Sequence, residues 1–288
     1  MRAAMMFQCH KGKALQITTR ALSSINPAGV DTSADKVSLV QGASRGLGLE
    51  FVRQLLARPG SVIATCRNPS AATDLQLLKD HHQHRLHVVQ LDTGNEASIH
   101  AAAEQVSEVH SHINLLLNVS GVLHIPGVMS PETALNRVTM ENLERVFRVN
   151  TFGPILVCKA FAPLLINAGK TATDEHPAVI ANLSARVGSI GDNRLGGWYS
   201  YRASKTALNQ LTKTMSLELA RKNQKVAAIV LHPGTVATDL SAPFQRNVAP
   251  EKLFTKERAI KQLLEVVDRV QMKDTGSYVA WDGTPVVW

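Results

Sequence analysis

The sequence predicts an α/β fold: a doubly wound parallel sheet of seven strands with helices on both faces. Two observations carry this. From Lys36 onward, short apolar runs alternate with longer segments of helical periodicity. Alternating β and α elements place parallel strands side by side, with helices covering both faces. The first apolar run also leads directly into Gly42-Ala43-Ser44-Arg45-Gly46-Leu47-Gly48 and then a helical segment. That order makes a phosphate cradle: glycine lets the backbone turn sharply and approach a ligand, and the helix N-terminus attracts an anion.

The elements follow in order. Val37-Ser38-Leu39-Val40-Gln41 reads as a buried parallel strand. The segment 46–58 carries apolar residues at helical spacing. Ser61-Val62-Ile63-Ala64-Thr65-Cys66 is the second strand, and a helix is expected over 70–79. Strands at 86–91 and 113–118 flank a helix at 96–110. A long helix at 140–168 holds Asn150 and Pro154, and a strand at 177–183 follows. The helix 199–222 carries Tyr201 and Lys205. Strands at 226–231 and 277–281 with a helix at 256–271 complete the alternation. Ligands of such sheets bind at the carboxyl ends of the strands, and every motif described below falls at one of those ends.

Composition narrows the classes. A chain of 288 residues holds one large α/β domain with a full core. Its 44% hydrophobic and 19% charged residues are ordinary for a globular protein. The most apolar stretch, Gly153 to Ile166, is broken by Lys159, Pro154 and Pro163, so no membrane span is expected. Cys9, Cys66 and Cys158 lie far apart, which points to a reducing compartment and away from zinc. His81, His82, His84 and His87 read as a solvated loop without partners at ligand spacing, so no metal is expected. The net charge of +8 is partly an N-terminal excess (Arg2, Lys11, Lys13 and Arg20 precede Asp31), and no basic run is interleaved with aromatics. A nucleic-acid partner is not expected. Residues 1–35 are basic, rich in Ser and Thr and poor in acid, the composition of a transit peptide for a mitochondrion or plastid. A disordered leader on a cytoplasmic protein is the alternative. Residues 36–288 form the single folded domain.

Tyr201 and Lys205 are four residues apart, so on a helix both share one face. An isolated phenol titrates at about 10, and a nearby ammonium stabilises the phenolate and lowers that value. A solvated helix face is the other meaning of such a pair. The glycines are spaced G-x-x-x-G-x-G at Gly42, Gly46 and Gly48.

The two motifs in this order resemble the short-chain dehydrogenase/reductase family. The resemblance runs from Lys36 to the C-terminus and includes Asp92, Asn118-Val119-Ser120-Gly121, Asn150 and Pro233-Gly234. Ala181 to Asn193 and Tyr201 to Asn209 are similar to the C-factor-like branch, which includes carbonyl reductases and developmental signalling proteins. The resemblance implies a Rossmann-type fold and hydride transfer between a nicotinamide and a carbonyl or alcohol carbon. Tyr201 would donate the proton, Lys205 would hold the nicotinamide ribose, and Asn150 would anchor a water relay. The cofactor would lie against Gly42, Ser44, Arg45, Gly46, Leu47 and Gly48. Asp92 would meet the adenine, Asn118 and Gly121 would line the channel, and Pro233, Gly234, Thr235 and Thr238 would close over the nicotinamide. The second strand ends in Arg67, and Arg45 lies in the glycine loop, with no acid beside them. Two guanidinium groups can clamp a 2′-phosphate, which favours NADP(H) over NAD; exposed loop residues are the other reading of both. Relatives often pair through helices matching 140–168 and 199–222, while some act as monomers, so the resemblance allows a homodimer or homotetramer as well as a monomer.

Three features depart from or refine the pattern. Pro154 has no N–H, so the Asn150 carbonyl loses its usual helical partner, leaving it to hold a water or merely to mark a kink. Val119-Ser120 replaces the usual Asn-Ala. Where the family places a serine on the substrate oxygen, this chain has Ala185; Ser184 or Ser189 is the candidate replacement, with Ser184 the first choice. Leu123, Trp198 and Phe244 are candidates for an apolar pocket wall, or else core. The expected activity is reduction of a small or apolar carbonyl substrate by NADPH. The alternative, resting on Ala185, is an NADP(H)-binding signalling or regulatory protein with little turnover.

Overall fold

Seven apolar runs assemble into one parallel sheet, in the order Leu86–Gln90, Ser61–Cys66, Val37–Gln41, Leu115–Asn118, Ala178–Leu183, Val226–His232 and Tyr278–Ala280. The structure, a computed structural model, describes residues 36–288; the leader expected over residues 1–35 lies outside them. The strands are β1 (Val37–Gln41), β2 (Ser61–Cys66), β3 (Leu86–Gln90), β4 (Leu115–Asn118), β5 (Ala178–Leu183), β6 (Val226–His232) and β9 (Tyr278–Ala280). Every pairing is parallel, with Val40 beside Ala64 and Leu117, and Asn182 beside Asn118 and Val230. Such strands need apolar side chains on both sides, which is why they read as continuous runs.

The helices are α1 (Gly46–Leu56), α2 (Thr73–His81), α3 (Glu96–Val109), α4 (Met140–Phe147), α5 (Gly153–Gly169), α6 (Tyr199–Arg221) and α7 (Lys256–Asp268). On one face Phe51 and Val52 of α1 pack with Ile260 and Leu263 of α7 against Val40 and Leu117. On the other, Ile99 of α3 and Val157, Phe161 and Leu165 of α5 pack against Leu39, Leu116 and Ile180. All of these side chains are buried, each worth roughly 1.5–3 kcal/mol of transfer free energy. The predicted sheet and layering are what the structure has.

Two details differ from the reading. The expected helix over 140–168 is present as one run, Met140–Gly169, but its register changes midway: a π-helical turn, Arg148–Phe152, joins α4 to α5, and the Gly153 N–H donates to the carbonyl of Arg148, five residues back. Proline supplies no donor at 154, so the ladder changes register there. Two short strands, β7 (Thr235–Val236) and β8 (Leu253–Phe254), also pair in parallel outside the main sheet. Two-residue strands carry too little pattern to be read from sequence. The segment Met140–Gly169 is long and apolar enough to cross a membrane by length and a mean hydropathy of 1.6. In this fold its α5 part lies on the sheet, as the core helix described above.

Candidate active site

The carboxyl ends of β1, β4, β5 and β6 define the site. After β1, Gly42 and Gly46 take φ values of +88° and +58°, which favour glycine. A Cβ on Gly42 would lie 2.8 Å from the Ser120 nitrogen, and one on Gly48 only 2.1 Å from the Gly42 carbonyl oxygen. The turn therefore closes tightly on itself and on the loop after β4. Ser120 adds a tie of its own, donating from its hydroxyl to Gln41 Oε1 at 2.7 Å. Gly46 meets nothing within 4 Å, and α1 begins there without a side-chain cap or an acid in its first turn. An open glycine below a helix N-terminus with free N–H groups suits an anionic phosphate, so the residues present fit a dinucleotide.

Around this cradle, Ser44 is half-buried, and Leu47 packs into the core. Arg45 and Arg67 are exposed, Arg45 lying 3.8 Å from the equally exposed Asp239. Asp92 is half-buried, and its Oδ1 accepts from the Gly94 N–H. Pro233 is buried, Gly234 has φ +76°, Thr235 is exposed, and the Thr238 N–H donates to Ser241 Oγ. A cleft of about 410 Å³ lies between Arg45, Gly46 and Leu49 on one side and Ala237 to Gln245 on the other. Asn118 turns inward instead. It is 2% exposed, and its Nδ2 donates to Asn182 Oδ1, the Pro154 carbonyl and Cys158 Sγ. Its side chain ties β4, β5 and α5 together rather than lining the channel, because a strand-end residue alternates faces.

Tyr201 and Lys205 share the inner face of α6, both buried. Lys205 Nζ donates to the Leu183 carbonyl at 2.8 Å and lies 5.9 Å from the Tyr201 ring centre. Burial pulls the Lys205 ammonium down to about 8. Burial pushes the Tyr201 phenol up, the reverse of the lowering expected from a neighbouring cation; at this separation desolvation wins. Asn150 is fully buried. Its Oδ1 accepts from the Val122 N–H at 2.7 Å, and its Nδ2 donates to the Val122 carbonyl and to Ser204 Oγ. Ser204 Oγ donates in turn to the Tyr201 carbonyl at 2.8 Å. A Cβ on Gly121 would lie 3.5 Å from Asn150 Oδ1 and 3.6 Å from Lys205 Nζ. Four residues scattered in sequence thus converge.

The serine candidates do not join them. Ser184 is buried and donates to Asn209 Oδ1 at 2.7 Å, two helical turns beyond Tyr201. Ser189 donates to the Trp288 carbonyl and accepts from the Asp192 N–H. Both hydroxyls donate to other protein groups, and among the described residues no hydrogen bond joins Ser184, the first-choice catalytic serine, to Tyr201 or Lys205. Side chains that the sequence reading missed hold this strand end. The Tyr278 hydroxyl donates to the Ala185 carbonyl at 2.7 Å, and His232 Nδ1 accepts from the Arg186 N–H. Burial pulls the His232 imidazole down to about 4, keeping it neutral. Nothing local flags Tyr278, which lies 93 residues from its partner. Opposite Tyr201, the Trp198 ring stands 6.3 Å from the tyrosine ring and 4.8 Å from Phe244, with His124 beyond; Leu123 is buried. Trp198 takes φ +52°, a conformation costing a non-glycine residue about 1–2 kcal/mol.

The family model described as short chain dehydrogenase matches residues 36–249. The chain belongs to the short-chain dehydrogenase/reductase family. It is an oxidoreductase of the carbonyl-reductase-like, C-factor-like branch. An uncharacterized oxidoreductase of Schizosaccharomyces pombe is 32% identical over 265 residues, covering 88% of this chain and 98% of that protein. The C-signal of Myxococcus xanthus is 30% identical over 170 residues, 59% of this chain and 93% of its own. The structure of NADPH-bound carbonyl reductase from chicken fatty liver superposes with a TM-score of 0.79 at 34% identity, covering 89% of this chain and all of that one.

Proposed function

We propose that this short-chain dehydrogenase/reductase is an NADPH-dependent reductase of small or apolar carbonyl compounds, with Tyr201 as the general acid. The observation that carries the reading is the buried Tyr201–Lys205 pair on one face of α6, with Gly121 and Asn150 beside the lysine. When bound, the reduced dinucleotide supplies the hydride. The glycine loop, Gly121 and Lys205 would hold it, with Arg45 and Arg67 on the 2′-phosphate. Burial keeps the phenol protonated at neutral pH, so Tyr201 holds the proton that a carbonyl oxygen needs as it gains charge. Lys205, charged below about 8, opposes the charge left on the phenolate. Trp198, with its ring 6.3 Å from that of Tyr201 and 4.8 Å from that of Phe244, would form with Phe244 an apolar wall beside the phenol. The Asn150 side chain is fully engaged, so any relay through this residue uses its main-chain carbonyl.

Ala185 favours a second reading, an NADP(H)-binding regulatory protein with little turnover. Removing one polarising donor typically costs about 2.7–4 kcal/mol, or roughly a hundred- to a thousand-fold in rate. NADPH and NADH oxidation by the full chain, over a panel of aldehydes, ketones and quinones, tests both readings. Turnover preferring NADPH and abolished by Tyr201→Phe supports the reductase. Tight NADPH binding without turnover on any panel member moves the regulatory reading ahead.

A further inference from the structure

Glu132 is a buried acid that the chemistry above does not use. It lies in the loop between β4 and α4, 68 residues before Ser200, and is 4% exposed. Among the described residues no lysine, arginine or histidine pairs with it. Its hydrogen bonds run to the first turn of α6 and to the residue just before it. Oε1 accepts from the Ser200 hydroxyl in a short hydrogen bond. Oε2 accepts from the Ser200 N–H at 3.2 Å. Its main-chain carbonyl accepts from the Trp198 N–H at 2.5 Å.

The physical need is clear. Trp198 is the N-cap residue just before α6, and an indole cannot accept from the N–H groups of the first turn. A carboxylate there satisfies one of them and faces the positive end of the helix dipole. On the far side of Tyr201, Arg202 Nε donates to the Gly196 and Gly197 carbonyls and Nη1 to the Val187 carbonyl. Both chain neighbours of Tyr201 are therefore anchored from outside the helix, and the left-handed Trp198 is tied through its N–H to the Glu132 carbonyl.

We propose that Glu132 is a positioning residue for this site. It fixes the first turn of α6, and with it the Tyr201 hydroxyl and the Trp198 indole that face the carbonyl compound. The inference rests on the reading of Tyr201 as the proton donor. It acts through geometry, so a small displacement is costly: misplacing a reacting group by about 1 Å can cost roughly a hundred-fold in rate.

Glu132→Ala, Glu132→Gln, Ser200→Ala and Tyr201→Phe, each in the full chain, test it. Glutamine can still accept from the Ser200 N–H while the hydroxyl turns to accept from its amide, so it keeps the geometry and loses the charge. Glu132→Ala is expected to lower kcat about 10–100-fold and raise the carbonyl KM, while NADPH affinity by fluorescence titration changes less than about threefold, since the glycine loop is untouched. Glu132→Gln should keep kcat within about fivefold, and Ser200→Ala should lose about three- to tenfold. The inference is overturned if folded Glu132→Ala keeps its kcat, or if NADPH affinity collapses in parallel with kcat. If the alanine variant does not fold, Ser200→Ala decides: an unchanged kcat there also overturns it. Persistent turnover in Tyr201→Phe would sink the underlying reading of Tyr201. A dead Tyr201→Phe beside a fully active Glu132→Ala would sink only the role of Glu132.

Discussion

In the proposed reductase, Ala185 takes the place of a hydroxyl that would polarise the substrate, and the Ser184 and Ser189 hydroxyls donate to Asn209 and Trp288. Restoring the hydroxyl is therefore informative. Ala185→Ser is expected to raise kcat about 10–100-fold toward the value of one recovered donor, read from steady-state NADPH oxidation; an unchanged rate would mean that another group already serves the oxygen. A second prediction concerns His232, whose imidazole is held near 4 in the folded chain against an ordinary 6.5. The unfolded chain binds the extra proton first, so stability is fully present above about 6.5 and is lost as pH falls from there to about 4. The loss is of order 3 kcal/mol. Urea unfolding at a series of pH values should show this slope in the wild type, and His232→Asn should flatten it. The pairing of Tyr201 with Lys205 on one helix face and the glycine turn between β1 and α1 were visible as motifs because their spacing is local. The direction of the Tyr201 shift was not, because burial belongs to the tertiary structure.

At the scale of elements, α5 is the main support of one core face. Phe161→Ala removes a fully buried ring from between α5 and the sheet. It should cost about 3–5 kcal/mol, read as a fall in the urea midpoint with little change in slope. A cost below 1 kcal/mol would mean that this face repacks freely. The strands were legible in the sequence because a parallel strand covered on both faces must be apolar throughout. The change of register within the long helix was legible only in part. Pro154 announced a disturbed carbonyl, but a kink and a π-helical turn satisfy the same local chemistry, and packing chose the turn. The turn places Asn150 where its side chain clamps Val122 and reaches Ser204 on α6, so the element that looked like a defect is what joins the loop after β4 to the helix bearing Tyr201.

Across the whole molecule, two helical layers hold the sheet and leave the carboxyl ends of its strands free for chemistry. The periodicity of the chain and the order of its motifs determined the parallel sheet, its helical layers, and the meeting of Tyr201 with Lys205, since each depends on residues close in sequence or on rules of parallel-sheet topology. Tertiary structure alone decided the rest: that Ser184 turns to Asn209, that Asn118 ties three elements rather than opening to the cleft, and that Glu132 reaches across 68 residues to cap α6. These outcomes depend on which way a side chain points at a strand end, or on contacts between distant segments. Neither leaves a periodic trace in the sequence.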